Sequence, residues 1–140
     1  MRGQCLCGGV AFELDRQQLK LYQCRCSLCR RQGGSSSNSA AIVPSSQFRW
    51  LHGDELIASW VRASGFRSDF CSRCGSPLPN PLGGTSFHWI PAGLLDETDG
   101  LTVVAQVCWA SHAGWDSDVA PGVRHHRVPE DFEAFIESLQ

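Results

Sequence analysis

Apolar and polar positions alternate along this chain in short bursts, and most bursts have the two-residue period of a half-buried strand. Val10-Ala11-Phe12-Glu13-Leu14 follows Gly8-Gly9, and Leu19-Lys20-Leu21-Tyr22-Gln23 alternates up to Cys24. These two runs are expected to pair as a hairpin with a cysteine cluster at each end. Further strands are expected over Ala40 to Val43, Gln47 to Leu51, Leu56 to Arg62, Phe66 to Phe70, Ser86 to Pro91 and Leu101 to Trp109. Pro44-Ser45-Ser46, His52-Gly53-Asp54 and Ala63-Ser64-Gly65 read as turns between them, and Gly33 to Ser39 as a flexible loop. The period changes only at the end. Phe132, Phe135, Ile136 and Leu139 recur at i, i+3, i+4 and i+7 behind Pro129-Glu130-Asp131, which predicts a helix entered at the proline. A helical turn after Cys26 is also expected. The pattern predicts one mainly β domain over residues 1–140 with a C-terminal helix.

The cysteines change this picture most. Of eight, seven fall into three clusters: Cys5 with Cys7, Cys24 with Cys26 and Cys29, and Cys71 with Cys74. Two doublets and a triplet supply four ligands plus three. Four thiolates saturate a tetrahedral zinc, whereas three leave one position open for substrate. A disulfide framework is the alternative for an even number of cysteines. Residues two apart along a strand are poor partners for it, with Cα atoms roughly 6–7 Å apart. Cys71-Ser72-Arg73-Cys74-Gly75 reads as a zinc knuckle, its glycine permitting the tight turn; Pro77 and Pro79 oppose the helix that a redox dithiol would want. Cys5, Cys7, Cys71 and Cys74 are therefore assigned to a structural Zn(Cys)4 site. Cys24, Cys26 and Cys29 are assigned to an open Zn(Cys)3 site. A fourth ligand there would have to come from His52, His88, His112, His125, His126 or Cys108. Cys108 sits in an apolar strand and is expected to be a buried, inert thiol; His125-His126 is expected at a solvated surface.

A three-sulfur site suits an exchangeable thiolate, because an incoming thiol loses its proton on coordination and becomes a positioned nucleophile. An aldehyde held nearby would then form a carbon–sulfur bond. Arg30 and Arg31, beside Cys29, are candidates to hold a substrate carboxylate.

Composition excludes more than it assigns. Twelve basic and fourteen acidic side chains give a formal charge of −2, which offers no electrostatic footprint for nucleic acid or a membrane surface. No signal peptide or apolar span is visible, so the expected location is the cytosol, where clustered cysteines bind metal more often than they cross-link.

The order of motifs resembles the glutathione-dependent formaldehyde-activating enzyme family, also called the centromere-protein-V-like domain. The resemblance rests on Gly3-x-Cys5-x-Cys7-Gly8-x-Val10, then Cys24-x-Cys26-x-x-Cys29-Arg30-Arg31, and on Pro44, Phe48, Trp50 and Gly53. It continues through Phe70-Cys71-x-x-Cys74-Gly75-Ser76, Ala92-Gly93-x-Leu95-Asp96, and Ser111 with Trp115. It implies an Mss4-like β-tent fold, a structural zinc at the four-cysteine set and a working zinc at Cys24, Cys26 and Cys29. It also implies a carbon–sulfur lyase-type reaction joining glutathione, or a similar thiol, to formaldehyde or another small aldehyde. Arg25 stands where the family commonly has histidine, which alters charge beside the open position. Two other readings share these residues. One is a non-catalytic interaction module with two structural zinc sites. The other uses Cys108 as a redox nucleophile, as in methionine sulfoxide reductases of B type.

Overall fold

The two longest strands and the strand between them are rich in apolar and small residues, and a sheet forms around them. The computed structural model describes residues 1–116 and 122–140. Its strands are β1 (Arg2–Gln4), β2 (Ala11–Leu14), β3 (Leu19–Cys24), β4 (Asn38–Pro44), β5 (Phe48–His52) and β6 (Ile57–Val61). They continue as β7 (Arg67–Cys71), β8 (Pro77–Leu78), β9 (Asn80–Pro81), β10 (Phe87–Pro91), β11 (Leu101–Val107) and β12 (Val123–Arg124). The α-helices among the described residues are α1 (Ser27–Gly33) and α2 (Phe132–Ser138). The chain is mainly β with a C-terminal helix, the expected Mss4-like class.

Among the described residues the strands form three sheets, ordered β1-β2-β5, β12-β11-β3-β4-β10-β9 and β6-β7-β8. In the large sheet β4 is buried along Ala40-Ala41-Ile42-Val43, as a central strand covered on both faces must be. Its alternate residues feed two cores. Ala41 and Val43 join Leu19, Leu21 and Ile90 against Phe12 and Leu14 of the first sheet. Ile42 faces the other way, with Ala105 and Val107, and meets Phe135, Ile136 and Leu139 of α2. Burying each large side chain there contributes about 1.5–3 kcal/mol. A third, smaller core gathers Val10 and Leu78 around Cys5 and Cys71.

The expected hairpin between the first two strands does not form. β2 pairs with β1 and β5, while β3 pairs antiparallel with β4 and parallel with β11. Both edges of each strand are already occupied, and the two stack across a core instead. The stretch from Gly33 to Ser39 is also more ordered than expected, because Asn38 and Ser39 begin β4 and pair with Cys24 and Gln23. The strand beginning at Leu101 stops at Val107. Cys108 has φ 56, the one positive φ among described non-glycine residues, and turns the chain out of the sheet. α2 begins after the expected proline: Asp131 is its N-cap and accepts a hydrogen bond from the Ala134 N–H at 2.9 Å.

Candidate metal centres and the adjoining cavity

The first sulfur cluster is assembled by turns. Cys5 follows β1, Cys71 ends β7, and the turn after Cys71 closes with Gly75 N–H donating to the Cys71 carbonyl at 2.8 Å. Gly75 has φ 78, as the knuckle reading requires. The Sγ atoms of Cys5, Cys7, Cys71 and Cys74 all lie within 4.8 Å of one another. Cys5 and Cys7 are 3.5 Å apart and Cys7 and Cys71 3.9 Å. A tetrahedron of sulfurs 2.3 Å from zinc has edges of about 3.8 Å, so the donor set fits that ion. The N–H of Val10 donates to the Cys5 sulfur at 3.3 Å, and the Ser76 hydroxyl lies 3.4 Å from that of Cys74. The Ser76 hydroxyl and backbone N–H hold the Cys74 thiol down at about 5, which favours the ligating thiolate.

The second cluster sits where β3 runs into α1. The Sγ atoms of Cys24, Cys26 and Cys29 also lie within 4.8 Å of one another. Cys26 is the N-cap of α1, and its sulfur accepts from the Cys29 N–H at 3.4 Å. Contact with the sulfurs of Cys24 and Cys29 holds the Cys26 thiol well below its ordinary range, and contact with those of Cys26 and Cys29 pushes Cys24 up. Three sulfurs packed this closely cannot all ionise without a cation to replace the shared protons. The chemistry of the donor set again fits zinc.

None of the proposed fourth ligands joins this trio among the described residues. His88 Nδ1 pairs with the Ser45 hydroxyl at 2.8 Å, His112 Nδ1 lies 2.8 Å from the Trp109 carbonyl, and His52 Nε2 lies 3.1 Å from the Gly8 carbonyl. His126 is exposed as expected, but His125 is half-buried, its ring edge-on to Phe135. Cys108 is buried just past the end of β11, and burial pushes its thiol up, which disfavours the nucleophilic form.

Arg25, between two of the cysteines, is 4% exposed and anchored from several sides. Its Nε donates to Asp116 Oδ2 at 2.5 Å, its Nη1 donates to Gln106 Oε1, and its guanidinium lies 4.6 Å over the Trp109 ring. Gln106 passes the connection to Gln23, which reaches Ser39 on β4. Arg25 therefore forms a buried ion pair that locks the sulfur-bearing turn to the chain beyond β11.

Beside Cys29 lies a cavity of about 400 Å³, walled by the large sheet, α1 and the turn joining β6 to β7. Tyr22, Phe66, Leu82 and Trp89 make it mostly apolar. Arg30 and Arg31 are not on its wall. Arg30 is half-buried with an unpartnered Nε, and Arg31 is exposed. The arginine on the wall is Arg67, whose Nε donates to the buried Asp69 at 2.8 Å. Asn80 also lines the cavity. Sequence reading passed over it, because nothing local to Pro79-Asn80-Pro81 marks a functional amide. A larger groove of about 760 Å³ runs past Met1, Glu13 to Gln17 and Ser46 to Arg49 and contains no sulfur ligand.

Residues 1–111 match the family model described as "Glutathione-dependent formaldehyde-activating enzyme". No curated protein matches the chain. A crystal structure of a Rhodobacter sphaeroides protein is similar at 25% identity and a TM-score of 0.59, covering 71% of this chain and 91% of that one.

Proposed function

The chain belongs to the glutathione-dependent formaldehyde-activating enzyme family, and from that premise we propose a zinc-dependent reaction that joins a glutathione-like thiol to a small aldehyde. One observation carries the reading: three sulfurs converge beside a cavity, with no fourth protein donor among the described residues. Zinc held by Cys24, Cys26 and Cys29 would supply the Lewis acidity that keeps an incoming thiol deprotonated near neutral pH. The chain's own residues do the rest. The fold of β3 into α1 holds the three sulfurs together, and the Arg25–Asp116 pair fixes that turn. The apolar wall excludes water from an aldehyde placed beside Cys29. The thiol sulfur bonds the carbonyl carbon, the carbonyl π electrons move to oxygen, and that oxygen takes up the proton the thiol gave up. The product is a thiohemiacetal, and the reverse path cleaves it. The four-cysteine set is the structural site in this reading, and the protein works in the cytosol.

Cobalt substitution tests this directly. Glutathione should change the sulfur-to-cobalt charge-transfer bands of one of two bound ions and raise the melting temperature. If neither signal moves, the chain is instead a non-catalytic zinc module.

A further inference from the structure

The cavity beside Cys29 is much larger than formaldehyde needs. Formaldehyde is little bigger than water, whose share of liquid volume is about 30 Å³, whereas the cavity holds about 400 Å³. Its lining is also wrong for the charged backbone of glutathione. Tyr22, Phe66, Leu82 and Trp89 present rings and methyl groups, and the guanidinium of Arg67 is already paired with Asp69. Two amides reach the wall. Gln32 is satisfied at both ends: its Nε2 donates to the Ser68 hydroxyl at 3.0 Å and its Oε1 accepts from Asn38 at 2.7 Å. Asn80 is not. It is 4% exposed, and its Nδ2 has no hydrogen-bond partner. An unpaired buried donor is costly and uncommon in native structures, and a ligand carbonyl would complete it.

We propose that this cavity receives the hydrocarbon group of an aromatic or branched aldehyde, with the Asn80 amide nitrogen donating to its carbonyl oxygen. The assignment rests on the thiol–aldehyde reading above and narrows its substrate class. The ring packs against Trp89 and Phe66, which places the carbonyl carbon near Cys29. The hydrogen bond from Asn80 strengthens as the C–S bond forms, because negative charge then grows on the oxygen it contacts. That oxygen ends as the hydroxyl of the thiohemiacetal, protonated by the proton the thiol released.

The zinc-loaded protein should be assayed with glutathione and either benzaldehyde or formaldehyde, following thiohemiacetal formation by NMR exchange. Binding of benzamide, an unreactive aromatic carbonyl compound, should be measured alongside by calorimetry. The expected result is a kcat/KM at least tenfold higher for benzaldehyde, with benzamide binding weakened tenfold or more in Asn80→Ala. Asn80→Leu, which keeps the side chain's shape without its donor, should weaken benzamide equally and guards against misfolding of the smaller variant. Turnover that favours formaldehyde, or benzamide binding unmoved by both variants, overturns the cavity assignment and leaves the reaction standing. No turnover with either aldehyde overturns the reaction itself.

Discussion

Single residues in this protein carry geometric demands that their neighbours make non-negotiable. Gly53 has φ 82, and a Cβ there would sit 1.9 Å from the Gly9 carbonyl oxygen, which is backbone and cannot swing aside. Gly53→Ala should therefore lose about 2–4 kcal/mol of stability, read as a lower denaturant midpoint. Arg25→Leu strands the Asp116 carboxylate and the Gln106 amide oxygen, so a loss of about 3–5 kcal/mol is expected by the same measurement. A smaller loss would mean that solvent reaches the pair. His88 sets a pH dependence. Burial against Phe48 disfavours its charged form and holds its pKa below the ordinary 6.5. The unfolded chain then binds the proton more readily, so stability is greatest above about pH 6.5 and falls as pH drops below it. Urea titrations from pH 8 to 5 should show that decline, and His88→Phe should flatten it. At this scale the sequence was informative wherever chemistry is local. The cysteines, the knuckle glycine and the apolar positions of α2 all announced themselves by spacing. Asn80 did not, because an orphaned amide is defined only by what surrounds it.

At the scale of elements, local pattern found most strands but misread their partners. Period-two alternation reports which face of β2 or β3 is buried and says nothing about which edge pairs with which. That choice went to β1, a strand of Arg2-Gly3-Gln4 with no alternation to detect, and to β11, some eighty residues away. The short strands β8 and β9 were hidden by prolines at their ends, and β12 by its length. α2 shows the opposite case, where the face was legible and the boundary was not. Asp131, rather than Pro129, marks the helix start, because its carboxylate accepts from the Ala134 N–H. Asp131→Ala should destabilise the protein by about 1 kcal/mol, and Pro129→Ala should change it by less than half as much; equal effects would return the helix start to the proline. α2 itself matters beyond its seven residues. Phe135, Ile136 and Leu139 close the core that also contains Cys24 and Cys108, so a loosened helix would loosen the wall behind the three-sulfur cluster.

For the whole molecule, the two sulfur clusters do unequal mechanical work. The four-sulfur set ties the segment after β1 to the end of β7, bridging sequence separations of 64 residues between Cys7 and Cys71. A cation bound there would close a long loop and be coupled to folding of the third core. The three-sulfur set spans only six residues and constrains little beyond its own turn. Progressive chelation should therefore proceed in two stages. The first ion should leave with little change in far-ultraviolet circular dichroism, and the second should leave together with the cooperative melt. Simultaneous loss would show that both centres hold the fold. Acid should reproduce the sequence of events, because ligating thiolates must be proton-free and metal release rises as pH falls. No helix among the described residues is long and apolar enough to cross a membrane.

The sulfur of Cys26 has two jobs, since it both starts α1 and belongs to the three-sulfur set, and the Cys29 amide is hydrogen-bonded to it. That one amide is consequently a built-in gauge of loading. Its deuterium uptake should slow when the centre is filled and quicken when it empties, so that a single backbone resonance tracks occupancy without touching the chemistry.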